Sequence, residues 1–169
     1  MIGLSYKYKV SLVTTDGVLY FHPMEKFDDH YFMKQALLEA QKAYDADEVP
    51  VGAVVVIDNK IIARAHNLTE RLNDVTAHAE MQAITAAANF LNGKYLIGCS
   101  LYVTLEPCVM CMGAIYWSQL SKVVFGAKDK KRGYQQAQLT PHPKATVLEG
   151  IMAEEAAALI QGFFQKKRP

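Results

Sequence analysis

The sequence predicts an α/β domain, with one sheet that contains parallel strands and helices on both of its faces. Three observations predict it. Apolar residues recur at helical spacing in several separated stretches. Short runs rich in β-branched residues lie between them. After one hairpin signal the strand and helix patterns alternate, and neighbouring parallel strands need such crossovers.

The elements follow in order. Asp28 or Asp29 caps the first helix, in which Phe32, Met33, Ala36, Leu37, Ala40 and Ala43 share a face and which fades over 45–48. Pro50 and Gly52 mark the break. GAVVVID reads as a buried strand, Asp58-Asn59 as a turn, and KIIARAH as the returning strand of a hairpin. Residues 67–75 are polar and form a loop. A helix is expected over 76–89, a strand over 100–104, and then a helix that takes Pro107 in its first turn and runs through Cys111, Ala114 and Ile115. Residues 122–126 form the next strand. Residues 127–143 are polar and basic, and Pro141 and Pro143 oppose a regular element. A fifth strand is expected at 145–148 and a final amphipathic helix over 151–165, presenting Ala156, Leu159 and Phe163. Residues 1–27 read as an N-terminal extension, in which VSLVTTDGVLYF can form a hairpin about Asp16-Gly17. Residues 28–169 form the main domain.

The chain has 169 residues, 51% apolar and 21% charged, with a formal net charge of +1. That length suits one domain with a core large enough to dispense with disulfides. The composition excludes disorder as the default. No apolar run approaches the roughly 20 residues of a membrane helix, and the N-terminus lacks the apolar core of a signal peptide. A soluble, cytoplasmic protein is expected, without a membrane partner. The near-zero charge hides an asymmetry. Residues 1–119 carry 9 Lys/Arg against 13 Asp/Glu, and residues 120–169 carry 9 against 4. The excess gathers in Lys128, Lys130, Lys131 and Arg132, and in Lys166, Lys167 and Arg168. Such clusters fit a local phosphate-binding patch, or an ordinary solvated loop and tail.

Three cysteines, Cys99, Cys108 and Cys111, are too few and too odd for a disulfide framework. Cys99 reads as a small buried hydrophobe. Cys108 and Cys111 form a C-x-x-C pair, which alone fits a metal or a redox site. Three residues apart, their thiols share one side of a helix, and a helix N-terminus favours thiolates, the species that bind Zn²⁺. His78 supplies a neutral third ligand. Three protein ligands leave a fourth position for water, the pattern of a catalytic zinc. Glu80, two residues beyond His78, can approach that water and move its proton without binding the metal.

Several stretches carry a family resemblance: VPVGAVVV, TAHAE at 76–80, LYVTLEPCVMCMGAIYW at 101–117, VVFGAKD at 123–129 and the GFFQKKR end. From about Asp28 to the end, the chain resembles the bacterial tRNA-specific adenosine deaminases of the cytidine deaminase-like superfamily. H-x-E followed by P-C-x-x-C is the signature of zinc nucleobase deaminases. The resemblance implies a three-layer α-β-α sandwich about a central mixed five-stranded sheet with helices on both faces. It implies one Zn²⁺ per subunit, bound by His78, Cys108 and Cys111, with Glu80 as the catalytic proton shuttle. It implies hydrolytic deamination of adenosine to inosine at the wobble position of tRNA by a zinc-activated water. The alternative is deamination of a free nucleobase or nucleoside such as guanine, cytosine or cytidine.

Asn67 matches the family asparagine that contacts the target nucleoside, and backbone N–H groups near Ala79 orient the base. Asp129, Lys130 and Lys131 match positions near the anticodon-loop backbone. Phe163 or Phe164, with the final basic run, lies where the family closes the anticodon-loop groove; core packing is the plain alternative for Phe163. The implied partners are a tRNA anticodon stem-loop and a second copy of the chain in a homodimer, with GAIYWSQL as a candidate interface. Glu106 reads as structural. The segment KKRGYQQAQLTPHPKATV departs from the family pattern, being shorter and holding a single histidine, His142, and residues 1–23 match nothing in it.

Overall fold

The computed structural model describes residues 27–168, together with the backbone of two short strands ahead of them, β1 (Tyr8–Val10) and β2 (Phe21–Pro23). These two pair antiparallel as a sheet of their own, Tyr8 opposite Pro23 and Val10 opposite Phe21. The Asp16-Gly17 turn expected between them lies outside the described residues.

Helix α1 (Asp29–Asp45) starts at Asp28, whose carboxylate accepts the Tyr31 N–H at 2.8 Å and so satisfies one of the unpaired N–H groups of the first turn. Strands β3 (Gly52–Ile57) and β4 (Lys60–His66) form the expected hairpin. Asp58 and Asn59 both take positive φ, 47° and 61°, which matches the twist of the flanking strands. Helix α2 (Ala79–Leu91), strand β5 (Ser100–Leu105), helix α3 (Val109–Trp117), strands β6 (Lys122–Ala127) and β7 (Thr146–Glu149), and helix α4 (Ala153–Lys167) follow. The main sheet has the order β4-β3-β5-β6-β7. β3 is antiparallel to both of its neighbours, and β5, β6 and β7 are parallel. The sheet is mixed and five-stranded, as expected.

The two faces of the sheet separate by residue parity, because successive side chains point to opposite sides. Val54, Val56, Tyr102 and Val124 pack with Phe32, Met33 and Ala36 of α1 and with Ile151 and Met152 at the start of α4. Ala53, Val55, Leu101, Val103, Val123 and Phe125 pack with Ala79, Ala83 and Ala87 of α2 and Met112 and Ile115 of α3. The result is a three-layer sandwich with helices on both faces of the sheet, as expected.

Three helix starts differ from the sequence expectation. α4 begins at Ala153 rather than at 151, because Met152 before it takes a left-handed conformation, φ 54°. α2 begins at Ala79 rather than at 76, because the Asp74 carboxylate accepts both the N–H and the hydroxyl of Thr76, at 2.8 and 2.7 Å, and holds 74–78 as a turn. Pro107 stands outside α3 rather than in its first turn. The Glu106 N–H donates to the Ala127 carbonyl at 2.8 Å and the Pro107 carbonyl accepts the Tyr134 N–H at 2.9 Å, so the chain stays extended until Val109.

Candidate active site and metal centre

Two helix N-termini converge on one point beneath the ends of β4 and β5. His78 is the N-cap of α2 and Cys108 the N-cap of α3, both extended, and Cys111 follows in the first turn of α3. Neither cap side chain bonds to its own helix; the imidazole and the two thiols face one another instead. His78 Nδ1 lies 3.7 Å from Cys108 Sγ and 3.5 Å from Cys111 Sγ, and the three potential ligand atoms fall within 4.8 Å of one another. With Zn–S near 2.3 Å and Zn–N near 2.0–2.1 Å, the N···S edges of a tetrahedron are about 3.6 Å. Two soft sulfurs and one imidazole at these separations fit zinc. Among the described residues this is the one cluster of its kind.

The electrostatics agree with that donor set. The Cys108 thiol is brought down to about 4 by its hydrogen bond with Cys111, against the opposing effect of burial and with help from His78. The same Cys108 contact, together with burial, pushes Cys111 up, and the contact with Cys108 raises His78. In the metal-free protein the two sulfurs thus behave as one thiolate and one thiol. Alkylation of metal-free protein by iodoacetamide is therefore expected at Cys108 from about pH 5 upward, with little further rise to pH 8. Cys111 and the fully buried Cys99 should react far more slowly, and zinc should protect Cys108. Peptide mass spectrometry against pH checks this.

Glu80 sits in the first turn of α2 and is 4% exposed. Burial pushes its carboxyl up to about 7, although its own backbone N–H and the nearby His78 pull the other way. The Cys111 thiol is within hydrogen-bond reach of it. Glu80 stands beside the metal-binding cluster without belonging to it, and a carboxyl poised near neutrality suits a group that both takes and gives a proton.

Asn67 lies where β4 leaves the sheet. Its N–H donates to the Val51 carbonyl, and the next residue, Leu68, donates to Ala77 beside His78, both at 3.0 Å. The Gln82 amide reinforces this seam by donating to the carbonyls of His66 and Ala77. Sequence reasoning missed the residue beneath Asn67. Glu48, 1% exposed, accepts hydrogen bonds from Asn67 Nδ2, Thr69 Oγ1 and the N–H groups of Glu70 and Arg71. In DADEVP it reads as one more surface acid, and nothing local marks it as buried.

The other expected contacts lie on two borders. Lys130 and Lys131 are exposed on the loop after β6. Asp129 is half-buried, and its Oδ1 accepts the N–H groups of Lys131 and Arg132 at 2.9 and 3.0 Å, so it shapes the loop that carries the cations. A groove of about 720 Å³ runs between α4 and the α1–β3 turn, lined by Asp47, Glu48, Arg71, Phe163, Phe164 and Lys167 among others. Phe163 is 3% exposed and packs edge-on to Tyr44; the ring that reaches solvent is its neighbour Phe164.

The family model for the cytidine and deoxycytidylate deaminase zinc-binding region matches residues 26–127, which span the metal cluster, Glu80 and Asn67. The tRNA-specific adenosine deaminase of Aquifex aeolicus is 48% identical over 143 residues, covering 82% of this chain and 95% of that protein. The chain belongs to the tRNA-specific adenosine deaminase family. A solved structure from studies of A-to-I editing by tRNA:A34 deaminases at the wobble position of transfer RNA superposes with a TM-score of 0.71 at 44% identity, covering 76% of this chain and 98% of that one. The guanine deaminase of Bacillus subtilis superposes with a TM-score of 0.61 at 30% identity, covering 82% of this chain and 95% of that one. The deaminase fold is thus shared with free-base enzymes, while the greater identity lies with the tRNA deaminases.

Proposed function

We infer that this chain is a zinc-dependent hydrolase that converts adenosine to inosine at the wobble position of tRNA, releasing ammonia. One observation carries the reading: the His78–Cys108–Cys111 cluster and the buried Glu80 meet in a chain 48% identical to a tRNA-specific adenosine deaminase. Bound zinc supplies the Lewis acidity that makes water nucleophilic near neutral pH. His78, Cys108 and Cys111 hold the metal, and two thiolates with a neutral imidazole balance its charge. Glu80 accepts the proton of the attacking water and delivers it to the ring nitrogen beside the carbon that carries the amino group. A second transfer through the same carboxylate lets that group leave as ammonia. The N–H of Ala79, at the positive end of α2, orients the base, and Asn67 contacts the nucleoside. Lys130 and Lys131 meet phosphates of the anticodon stem-loop on a loop that Asp129 shapes, and the Phe163-Phe164 corner closes the groove. An anticodon loop suits such a site because its bases splay out more cheaply than those of a duplex.

The test is to incubate zinc-loaded protein with tRNA bearing adenosine at the wobble position, and in parallel with guanine, cytosine and cytidine. Inosine in the tRNA and no ammonia from the small molecules is expected. Ammonia from guanine with the tRNA unchanged would overturn the substrate and leave the metal centre standing.

The same reading includes a homodimer. α3, whose N-terminal end carries two of the metal ligands, exposes Val109 at that end and Tyr116 and Trp117 at the other, the last 77% exposed. A second copy covering this face is supported by its apolar character. Sedimentation is expected to give a dimer for the wild type and a single chain for Trp117→Arg. No helix among the described residues is long and apolar enough to cross a membrane, and a cytoplasmic location suits a tRNA substrate.

A further inference from the structure

We propose that Glu106 is a positioning residue whose buried carboxylate locks the basic loop 128–135 onto the Pro107-Cys108 turn, and so sets where the loop's cations stand relative to the metal centre. The proposal rests on the tRNA reading above for its consequence, though not for its geometry.

Glu106 lies between the end of β5 and the metal ligand Cys108, and it is 4% exposed. Its two oxygens are used on two ends of the same loop. Oε2 accepts the Asp129 N–H at 3.1 Å and Oε1 accepts the Gln135 N–H at 3.0 Å. Between these anchors Gly133 lies flat against the carboxyl group: a Cβ on Gly133 would overlap Cδ and both oxygens of Glu106. Gly133 does not have the positive φ that would otherwise call for glycine. The space taken by the Glu106 carboxylate is therefore what excludes a side chain there.

Two backbone links close the same joint. Cys108 and Gly133 form an antiparallel bridge, and the Tyr134 N–H donates to the Pro107 carbonyl at 2.9 Å. The loop clamped in this way carries the exposed Lys128, Lys130, Lys131 and Arg132, and its Gly133 is bridged directly to the metal ligand Cys108. A rigid joint of this kind fixes the spacing between phosphate-binding cations and the reacting centre. A flexible loop would have to be ordered at each binding event, and that ordering weakens affinity. Nothing in the arrangement requires Glu106 to touch substrate.

The chemistry of a carboxylate suits this joint better than its amide. Both loop groups are donors, and a carboxylate offers an acceptor to each. A glutamine in the same place offers one acceptor and turns an NH₂ toward the other N–H. Two variants therefore disturb the joint by different routes. Glu106→Gln removes one acceptor at constant size, and Gly133→Ala displaces the carboxylate at constant charge.

The experiment compares wild type, Glu106→Gln and Gly133→Ala as zinc-loaded full-length protein. It reads zinc content, thermal unfolding, kcat at saturating tRNA, tRNA affinity against salt, and the rate of tryptic cleavage after Lys130, Lys131 and Arg132. Both variants are expected to keep one zinc and a cooperative transition, with kcat within about twofold of wild type. Affinity for tRNA should fall about tenfold and the salt slope should become shallower by about one phosphate contact. Cleavage in the loop should rise at least tenfold while cleavage elsewhere is unchanged. Wild-type affinity, slope and loop cleavage in both variants would overturn the proposal. So would loss of zinc or of cooperative unfolding in both, which would make Glu106 a general structural residue, or a fall in kcat at unchanged affinity, which would make it catalytic. If the wild type itself shows no salt-dependent binding of tRNA, the substrate reading fails, and the loop-cleavage measurement still decides the role of Glu106.

Discussion

Glu80→Gln is expected to retain one zinc per chain and lose about 10²- to 10⁴-fold in kcat, the range that a positioned acid–base group contributes. The amide has nearly the shape of the carboxyl, so the 4% exposed site in the first turn of α2 stays filled and the metal cluster stays assembled. What is lost is a group able to carry a proton from water to the base. The pH dependence separates this role from a structural one. Burial raises the Glu80 carboxyl to about 7 in the metal-free protein, and a cation beside it favours the charged form, so the acidic limb of kcat/KM belongs at or below that value. Wild-type kcat/KM should rise with pH through the limb, because the carboxylate form is the one that accepts the proton, and the limb should vanish in the variant. Stability gives a second readout of opposite sign. In the metal-free protein Glu80 keeps its proton up to about 7 when folded and releases it near 4.5 when unfolded. Its contribution therefore disfavours folding progressively as pH rises between those values, by on the order of 3 kcal/mol. Metal-free Glu80→Gln should thus be no less stable than metal-free wild type at pH 8, although the zinc-loaded variant is inactive. Loss of zinc from the variant would show that the carboxyl holds the metal, and the assignment of its role would fall.

The features read correctly from sequence are those whose cause is local. The apolar spacing in α1 (Leu37 apart, which is only partly buried), the cap at Asp28 and the turn at Asp58-Asn59 each depend on a few neighbouring residues, and each appears where expected. The metal cluster was legible for a related reason. Cys108 and Cys111 occupy one helical turn, and His78 with Glu80 another, so sequence spacing fixes each half. What spacing could not supply is the meeting of the two halves, which depends on β4 and β5 flanking β3 in the sheet. Apart from the start of α2, which Asp74 sets from two residues before Thr76, and that of α4 after Met152, the misplaced features have causes distant in sequence. Pro107 is kept out of α3 by Ala127 and Tyr134, on the strand and loop that follow. Glu48 is buried beneath donors 19 to 23 residues further along. Phe163 and Phe164 are adjacent and alike in chemistry, and which ring is covered depends on Tyr44 of α1.

Gly52→Ala is expected to destabilise the protein by about 3 kcal/mol or more, while Gly162→Ala, the same chemical change, is expected to stabilise it by roughly 0.5–1 kcal/mol. Gly52 opens β3, an inner strand of the sheet, and α1 crosses directly over it. A Cβ at Gly52 would fall within the backbone of Ala36, Glu39 and Ala40. A flexible side chain could swing aside, but a helix backbone cannot move without lifting the whole of α1 from the sheet. Ala36, Ala40 and Ala43, all fully buried, are small for the same close approach. The Gly52 N–H also donates to Thr104 Oγ1 of β5 at 3.1 Å in the interior, so a shift of β3 leaves a buried donor short of its partner. Gly162 lies inside α4 with nothing within 4 Å of where a Cβ would stand, and its φ is not in the left-handed region. An alanine there adds no clash and restricts the unfolded chain, which favours the folded state. Urea unfolding of the two zinc-loaded variants against wild type measures both effects. A Gly52→Ala protein of wild-type stability would mean that α1 does not rest on β3 as closely as the structure has it, and a destabilised Gly162→Ala would mean that α4 is covered by something there.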